Sequence, residues 1–171
     1  MVTPTPDGID PQPPSPSARH ANPLPLIILV AILVVAALGL LGGYPARSRT
    51  IDTDKVELSV TTPETLRNGM VFETIVEVSA KRPLRQLAIG ISDSLWREMT
   101  INTMVPAAES EEYGGGFHRF VFTGLKAGET FRFKIDGQIN PPLLGGAHGE
   151  VVAFDGDQRL AGVPIRVRVL P

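Results

Sequence analysis

The chain has 171 residues, with 16 Lys and Arg against 18 Asp and Glu, no Cys, 16 Pro and 17 Gly. A formal charge of −2 gives no large field to steer it toward nucleic acid, and the absence of Cys excludes disulfides, thiolate nucleophiles and every cysteine-bearing zinc or iron–sulfur site. Eight of the 16 prolines fall in residues 1–25 while all seven Phe lie between Phe72 and Phe154, so composition divides the chain into a tail, an apolar run and a head.

Residues 1–23 set Pro4, Pro6, Pro11, Pro13, Pro14, Pro16 and Pro23 among scattered Ser, Thr and Asp. So little apolar surface does not offset the entropy of ordering, and the segment is expected to be a disordered proline-rich tail. Pro11 to Pro14 and Pro13 to Pro16 have the spacing of a polyproline II ligand, a pattern that plain solvated tails also carry.

Residues 24–44 are expected to form a single transmembrane helix. From Leu26 to Leu41 no side chain is charged or hydrogen-bonding, and Gly42, Gly43 and Tyr44 extend the stretch to 19 residues. At ~1.5 Å per residue this comes close to the ~30 Å hydrocarbon core. Pro23 and Pro25 sit where a first turn accepts proline, and Tyr44 sits where an aromatic meets headgroups. A cleaved signal peptide fits poorly, because the run exceeds the usual ~7–15 residues and no small-x-small site follows it. Gly39 and Gly43, with Ala36 beside them, make a small-residue face of GxxxG type, through which a homo- or hetero-association in the bilayer is expected. Arg47, Arg49 and Lys55 after the run outnumber Arg19 and His20 before it, and the positive-inside rule alone places the C-terminal side in the cytoplasm. Long domains, however, translocate with little regard to charge.

After a linker over 45–54, the pattern alternates and the head, 55–171, reads as β-rich. Val56, Leu58 and Val60 alternate with polar residues; Phe72, Thr74, Val76 and Val78 do the same, followed by Leu87, Ile89 and Ile91. Further runs are Met99 to Val105, Phe120 with Phe122, Phe131 with Phe133 and Ile135, Val151 to Phe154, and Ile165 with Val167 and Val169. Asn68-Gly69, Arg82-Pro83, Ala127-Gly128 and Asp155-Gly156 punctuate them as turns. The expected fold is all-β: an immunoglobulin-like antiparallel β-sandwich of seven or eight strands, preceded by one transmembrane α-helix.

The opening Val56-Glu57-Leu58-Ser59-Val60, then Pro63 and the Arg67-Asn68-Gly69 turn before a long alternating strand, resembles bacterial immunoglobulin-like modules of the CARDB and DUF11 kind. Leu125-Lys126-Ala127-Gly128-Glu129-Thr130, leading into Phe131 to Ile135, is similar to their L-x-A-G-E/D turn. The resemblance implies an extracytoplasmic head acting in adhesion, in surface display or as part of a larger membrane assembly.

Groups for catalysis are sparse. His20, His118 and His148 have no partner at metal-ligand spacing, and Ser92 and Ser94 lack the following glycine of a nucleophile elbow. His118 shares parity with Phe120 and Phe122 and reads as a strand-end residue over the core edge. Asp155 and Asp157 supply two carboxylates where calcium needs six to eight oxygens, and Glu109, Glu111 and Glu112 read as a solvated loop. No cofactor or metal and no enzymatic activity are expected.

Two groups stand out as binding surfaces. Trp96, Met99, Asn102 and Met104 form a candidate interface, Trp being a frequent interface anchor, with a core tryptophan between sheets as the alternative. Arg132, Lys134, Arg166 and Arg168 share outward parity and form a basic face if their strands are neighbours. The expectation is a non-catalytic, single-pass cell-membrane binding module. Its partners are the lipid bilayer and another membrane or cell-envelope protein, for which it serves as accessory subunit or scaffold. The alternative is a tethered binder of an anionic envelope polymer or lipid surface through the basic sheet face.

Overall fold

The computed structural model describes residues 22–40, 46–141, 143 and 145–171. The proline-rich stretch with its Pro11–Pro14 spacing lies outside them.

Helix α1 (Leu24–Ala37) starts on Pro23 with proline in its first turn, and all its 14 residues are apolar. It ends where Gly39 takes φ +70°, a conformation open to glycine, so that Gly39 N–H donates to Ala36 O (3.0 Å) and Leu40 N–H to Val35 O (3.3 Å). The helix therefore stops well short of the expected 24–44. Its 14 residues reach about 21 Å, and among the described residues no helix is long and apolar enough to cross a membrane. Ala36 belongs to the helix, Gly39 lies beyond its end and Gly43 lies outside the described residues, so the expected helical face of the three is not formed within them. None of the α1 side chains is buried.

The head contains, in order, β1 (Ala46–Asp52), β2 (Val56–Pro63), β3 (Thr65–Arg67), β4 (Val71–Ala80), β5 (Gln86–Ser92), the single turn α2 (Asp93–Trp96), β6 (Met99–Val105), β7 (Ser110–Gly114), β8 (Phe117–Thr123), β9 (Thr130–Ile139), β10 (Ala147–Asp155) and β11 (Gln158–Leu170). They form a β-sandwich. One sheet has the order β1-β2-β4-β9-β6 and the other β3-β11-β10-β5-β8-β7. Every pairing is antiparallel except β3 with β11, where the chain switches sheets at Glu64 and runs beside the final strand.

Eleven strands form among the described residues where seven or eight were expected, and three of the segments without a strand signal are edges or near-edges. β1 occupies the expected linker; its sequence, Ala-Arg-Ser-Arg-Thr-Ile-Asp, has no apolar alternation because almost all of it is exposed. Its backbone nevertheless pairs with β2 from Ala46↔Pro63 to Asp52↔Glu57. β3 is three residues long, and β7 carries Glu111 and Glu112, which were expected in a loop.

The expected inward rows do face each other. Val56, Leu58 and Val60 meet Val76 and Val78, with Phe133 and Ile135 on the next strand, opposite Leu87, Ile89, Ile91, Val151, Ile165 and Val167. Phe120 and Phe122 lie 5.7 and 5.1 Å, centroid to centroid, from Phe133, in the tilted and edge arrangements that aromatic rings favour.

The second sheet is also covered on its outer side. Ala88, Val121, Val152 and Phe154 form a separate buried cluster, closed by Phe117 and by the Arg119 guanidinium 4.4 Å from the Phe154 ring centroid. Gly90 makes room for it, since a Cβ there would come within 2.7 Å of the Phe154 ring. β5 is consequently buried on both faces from Leu87 to Ser92.

The expected turns form. Gly69, Gly128 and Gly156 all have positive φ, and Asp155 Oδ1 accepts the N–H groups of Arg85 (2.9 Å) and Gln86 (3.1 Å), tying the β10–β11 hairpin to the start of β5. Asp157 receives Arg119 at 3.1 Å. The two carboxylates therefore serve structural contacts with different strands.

Candidate functional site

Trp96 ends α2, the turn that lies over β10 and β5 at one end of the sandwich. Its ring is half-buried, 5.4 Å from Phe120 and 5.8 Å from His118. Beneath it a cavity of about 20 Å³ is lined by Leu95, Met99, Ile91, Phe72 and the hydroxyls of Thr62 and Thr74, which share a 2.8 Å hydrogen bond. That volume accommodates about one water, too little for a metabolite.

Trp96, Met99 and Met104 pack against the inter-sheet core, while Asn102 is exposed. The four residues of the expected interface are thus not displayed as one surface patch. β6 alternates Met99, Ile101 and Met104 toward the core, with the register shift between Ile101 and Thr103 leaving Asn102 outside. His118 stands between Trp96 and Tyr113, with Nε2 3.4 Å from Asp93 Oδ1. The hydroxyl of Ser92 accepts the Glu150 N–H at 2.8 Å. Among the described residues no three His, Asp or Glu side chains lie where they could hold a metal ion.

The four cations expected on one face are divided between the sheets. Arg132 and Lys134 lie on β9, whose neighbours are β4 and β6, and Arg166 and Arg168 lie on β11 in the opposite sheet. The β9 pair is neutralised locally: Arg132 sits 3.9 Å from Glu77, and Lys134 contacts Glu73 and, at 3.7 Å, Asp136. The Glu73 hydrogen bond and the Asp136 charge hold the Lys134 ammonium above its usual pKa. A single four-residue stripe is therefore absent.

Arg166 and Arg168 keep different company. Both are exposed on one side of β11, and neither has an ion-pair partner among the described residues. Arg166 is the cross-strand partner of His148 on β10. Across the flank of the sandwich, Arg49 is paired in register with the fully buried Val60, so it points toward the gap between the sheets, where β1 lies against β11. Arg49, His148, Gly149, Pro164, Ile165 and Arg166 line an open groove of about 420 Å³. A recess of about 200 Å³ adjoins it over Gly145 and Gly146. Glu64, at the sheet switch, accepts Arg49 at 2.6 Å and Arg47 at 3.4 Å. The signal in the sequence is the pair of Arg-x-Arg steps, 47–49 and 166–168, but only the topology brings them together.

No protein-family model matches the chain, and no curated protein matches it in sequence. The fold and the site define a two-sheet β-sandwich, preceded by a wholly apolar helix and carrying a basic groove on the flank where its sheets meet.

Proposed function

We propose that the chain is a membrane-anchored, non-catalytic binding module, working as an accessory subunit or scaffold for another membrane or cell-envelope protein. The observation that carries this reading is α1: 14 consecutive apolar side chains, none of them buried. A helix apolar on every side has no face to offer water, and lipid or a partner helix is its natural surrounding. The charge-free stretch continues in sequence to residue 44, and 21 residues suffice for a ~30 Å hydrocarbon core.

The head is read as immunoglobulin-like. The order β2-β4-β9-β6 facing β11-β10-β5-β8 supports this, as does a short strand after the first that joins the last in parallel. It differs in one connection, since β6 reaches the edge of the first sheet before the β7–β8 hairpin extends the second. The head is read as extracytoplasmic on the resemblance of its Val56–Val60 opening and Leu125–Thr130 turn to CARDB and DUF11 modules.

The test is purification of the full chain in mild detergent from its native membrane, with mass spectrometry of whatever remains in fixed ratio. A stoichiometric membrane protein supports the subunit reading. A chain that emerges alone removes it in favour of a second reading, direct binding of an anionic surface by the head, which Arg166 and Arg168 favour by lacking acidic partners among the described residues.

A further inference from the structure

We propose that the flank groove between β1 and β11 binds the phosphate of an anionic lipid headgroup, docking the head onto the bilayer beside its own anchor. The proposal rests on the membrane reading for the nearness of lipid, and on the groove itself for the chemistry.

The first observation is where positive charge collects. The chain is net negative, yet Arg49, His148 and Arg166 line one groove, with Arg47 two residues away on β1 and Arg168 two residues away on β11, while the neighbouring carboxylates are already engaged, Glu64 by Arg47 and Arg49 and Glu150 by Arg159. Several cations elsewhere are matched, as Arg159 is by Glu150, Arg119 by Asp157 and Lys134 by Glu73, and the exposed cations without an ion pair among the described residues, such as Lys126 and Arg97, stand outside any such groove. Guanidinium groups suit phosphate because their N–H groups form a fork that engages two oxygens at once. Arg166 and His148 are register partners on adjacent strands, and Arg49, held by Glu64, lines the same groove from β1, so donors from three strands border one space.

The second observation is the tether. β1 begins at Ala46, and Arg47 and Arg49 are three and five residues past the end of the charge-free stretch at 44. At no more than ~3.6 Å per residue, the chain holds Arg49 within ~18 Å of that end. β1 starts at the Pro63 end of β2, which places the sheet switch and the C-terminal end of β11 at the same pole of the sandwich as the entering chain. The groove lies on the flank a few residues from that pole, with Arg49 three residues along β1 from Ala46 and Arg166 four before the end of β11, and a membrane's surface potential falls off within about a Debye length.

The experiment uses the full chain in dodecyl maltoside micelles, titrated with a fluorescent phosphatidylglycerol analogue and read by polarisation. Unlabelled phosphatidylglycerol, phosphatidylcholine and inorganic phosphate serve as competitors. Phosphatidylglycerol is expected to compete at least ~10-fold better than phosphatidylcholine, phosphate not to compete at equal concentration, and binding to weaken as salt rises from ~0.05 to ~0.5 M. Replacing both exposed arginines, Arg166→Glu with Arg168→Glu, should lower affinity by about 10-fold or more. Lys126→Glu, in the β8–β9 loop at the opposite pole, should leave it unchanged; the neighbouring Gly128 bonds Ala80, the register partner of Val56.

Equal competition by phosphatidylcholine, wild-type affinity in the double variant, or equal loss in Lys126→Glu overturns the proposal. Displacement by inorganic phosphate as effective as by the lipid makes the groove a free-anion site and overturns the lipid as its occupant. If the reversed pair melts early, Arg166→Gln with Arg168→Gln is used, and the competitor and salt series on the unaltered chain decide independently. Carbonate extraction separates the two readings. Release of the chain with lipid selectivity intact removes the anchor and leaves the groove; retention without selectivity removes the groove alone.

Discussion

Arg159 lies flat over Gly162, held by both oxygens of Glu150, with Nη1 donating to Oε1 at 2.9 Å and Nη2 to Oε2 at 2.7 Å. A Cβ on Gly162 would fall 2.3 Å from Nη2, so glycine is what allows the guanidinium to rest on the sheet. Gly162 is the register partner of Val152, whose side chain is fully buried on the outer side of the second sheet. The bidentate hydrogen bond raises the Arg159 pKa above its usual value and keeps an aliphatic stem where it covers apolar surface.

Two glycines should therefore respond differently to the same added methyl. In Gly162→Ala only the ends of two flexible side chains, Arg159 and its partner Glu150, must move, and a loss of about 1 kcal/mol or less is expected. In Gly146→Ala the new Cβ meets the backbone carbonyl oxygen of Val167 at 2.0 Å from a backbone already at φ +111°, and the loss should be at least ~2 kcal/mol. Thermal melts of the two variants beside the parent check the order; equal losses would mean that β10 and β11 adjust freely at Gly146.

The inward rows of the sandwich are legible because a half-buried strand leaves a period of two, as Val56, Leu58 and Val60 show. Turns were legible where positive φ demands glycine, as at Gly69 and Gly128. β1 is illegible for a physical reason: its pairing with β2 rests on backbone hydrogen bonds, and its exposed polar side chains leave no apolar alternation to record it. The groove depended on that strand, so it was hidden too, and the four cations grouped by parity were split because parity gives the face of a sheet but not which sheet. The outer cluster around Phe154 leaves no pattern in the sequence because residues on the solvent side of a strand are covered only by side chains folding back over them.

Truncation separates a packing role for Trp96 from an interface role. Trp96→Ala should destabilise the head by about 2–3 kcal/mol, because it enlarges the cavity under α2 and removes contacts to Phe120 and Met99. Asn102→Ala, exposed on β6, should change stability by no more than ~0.5 kcal/mol. Circular-dichroism melts of both variants give the comparison. Unchanged stability in Trp96→Ala, together with loss of a co-purifying protein, would reverse the assignment.

The ion pairs around Lys134 make a pH-dependent contribution of defined sign. Its folded pKa lies above the model-compound value of 10.5, chiefly through the Glu73 hydrogen bond and then the Asp136 charge. A cation with a raised folded pKa contributes fully below its unfolded pKa and loses that contribution as pH climbs through the folded one. The difference in melting temperature between the parent and Lys134→Gln should therefore be flat from about pH 6 to 9 and shrink above about 10.5. A difference that grows above that pH would show that the ammonium is not the stabilising partner.

The absence of cysteine makes the orientation of the head directly measurable. Thr123→Cys introduces one thiol at the exposed end of β8, away from the core and from the flank groove. If the head is extracytoplasmic, a membrane-impermeant maleimide should label this variant in intact cells to the same extent as in permeabilised ones. Labelling only after permeabilisation would place the head in the cytoplasm, with Arg47 and Arg49 on the side that the positive-inside rule prefers. The headgroup site would then face the cytoplasmic leaflet, whose surface potential of about −30 mV attracts the same arginines. The labelling result thus selects the leaflet without altering the chemistry expected of the groove.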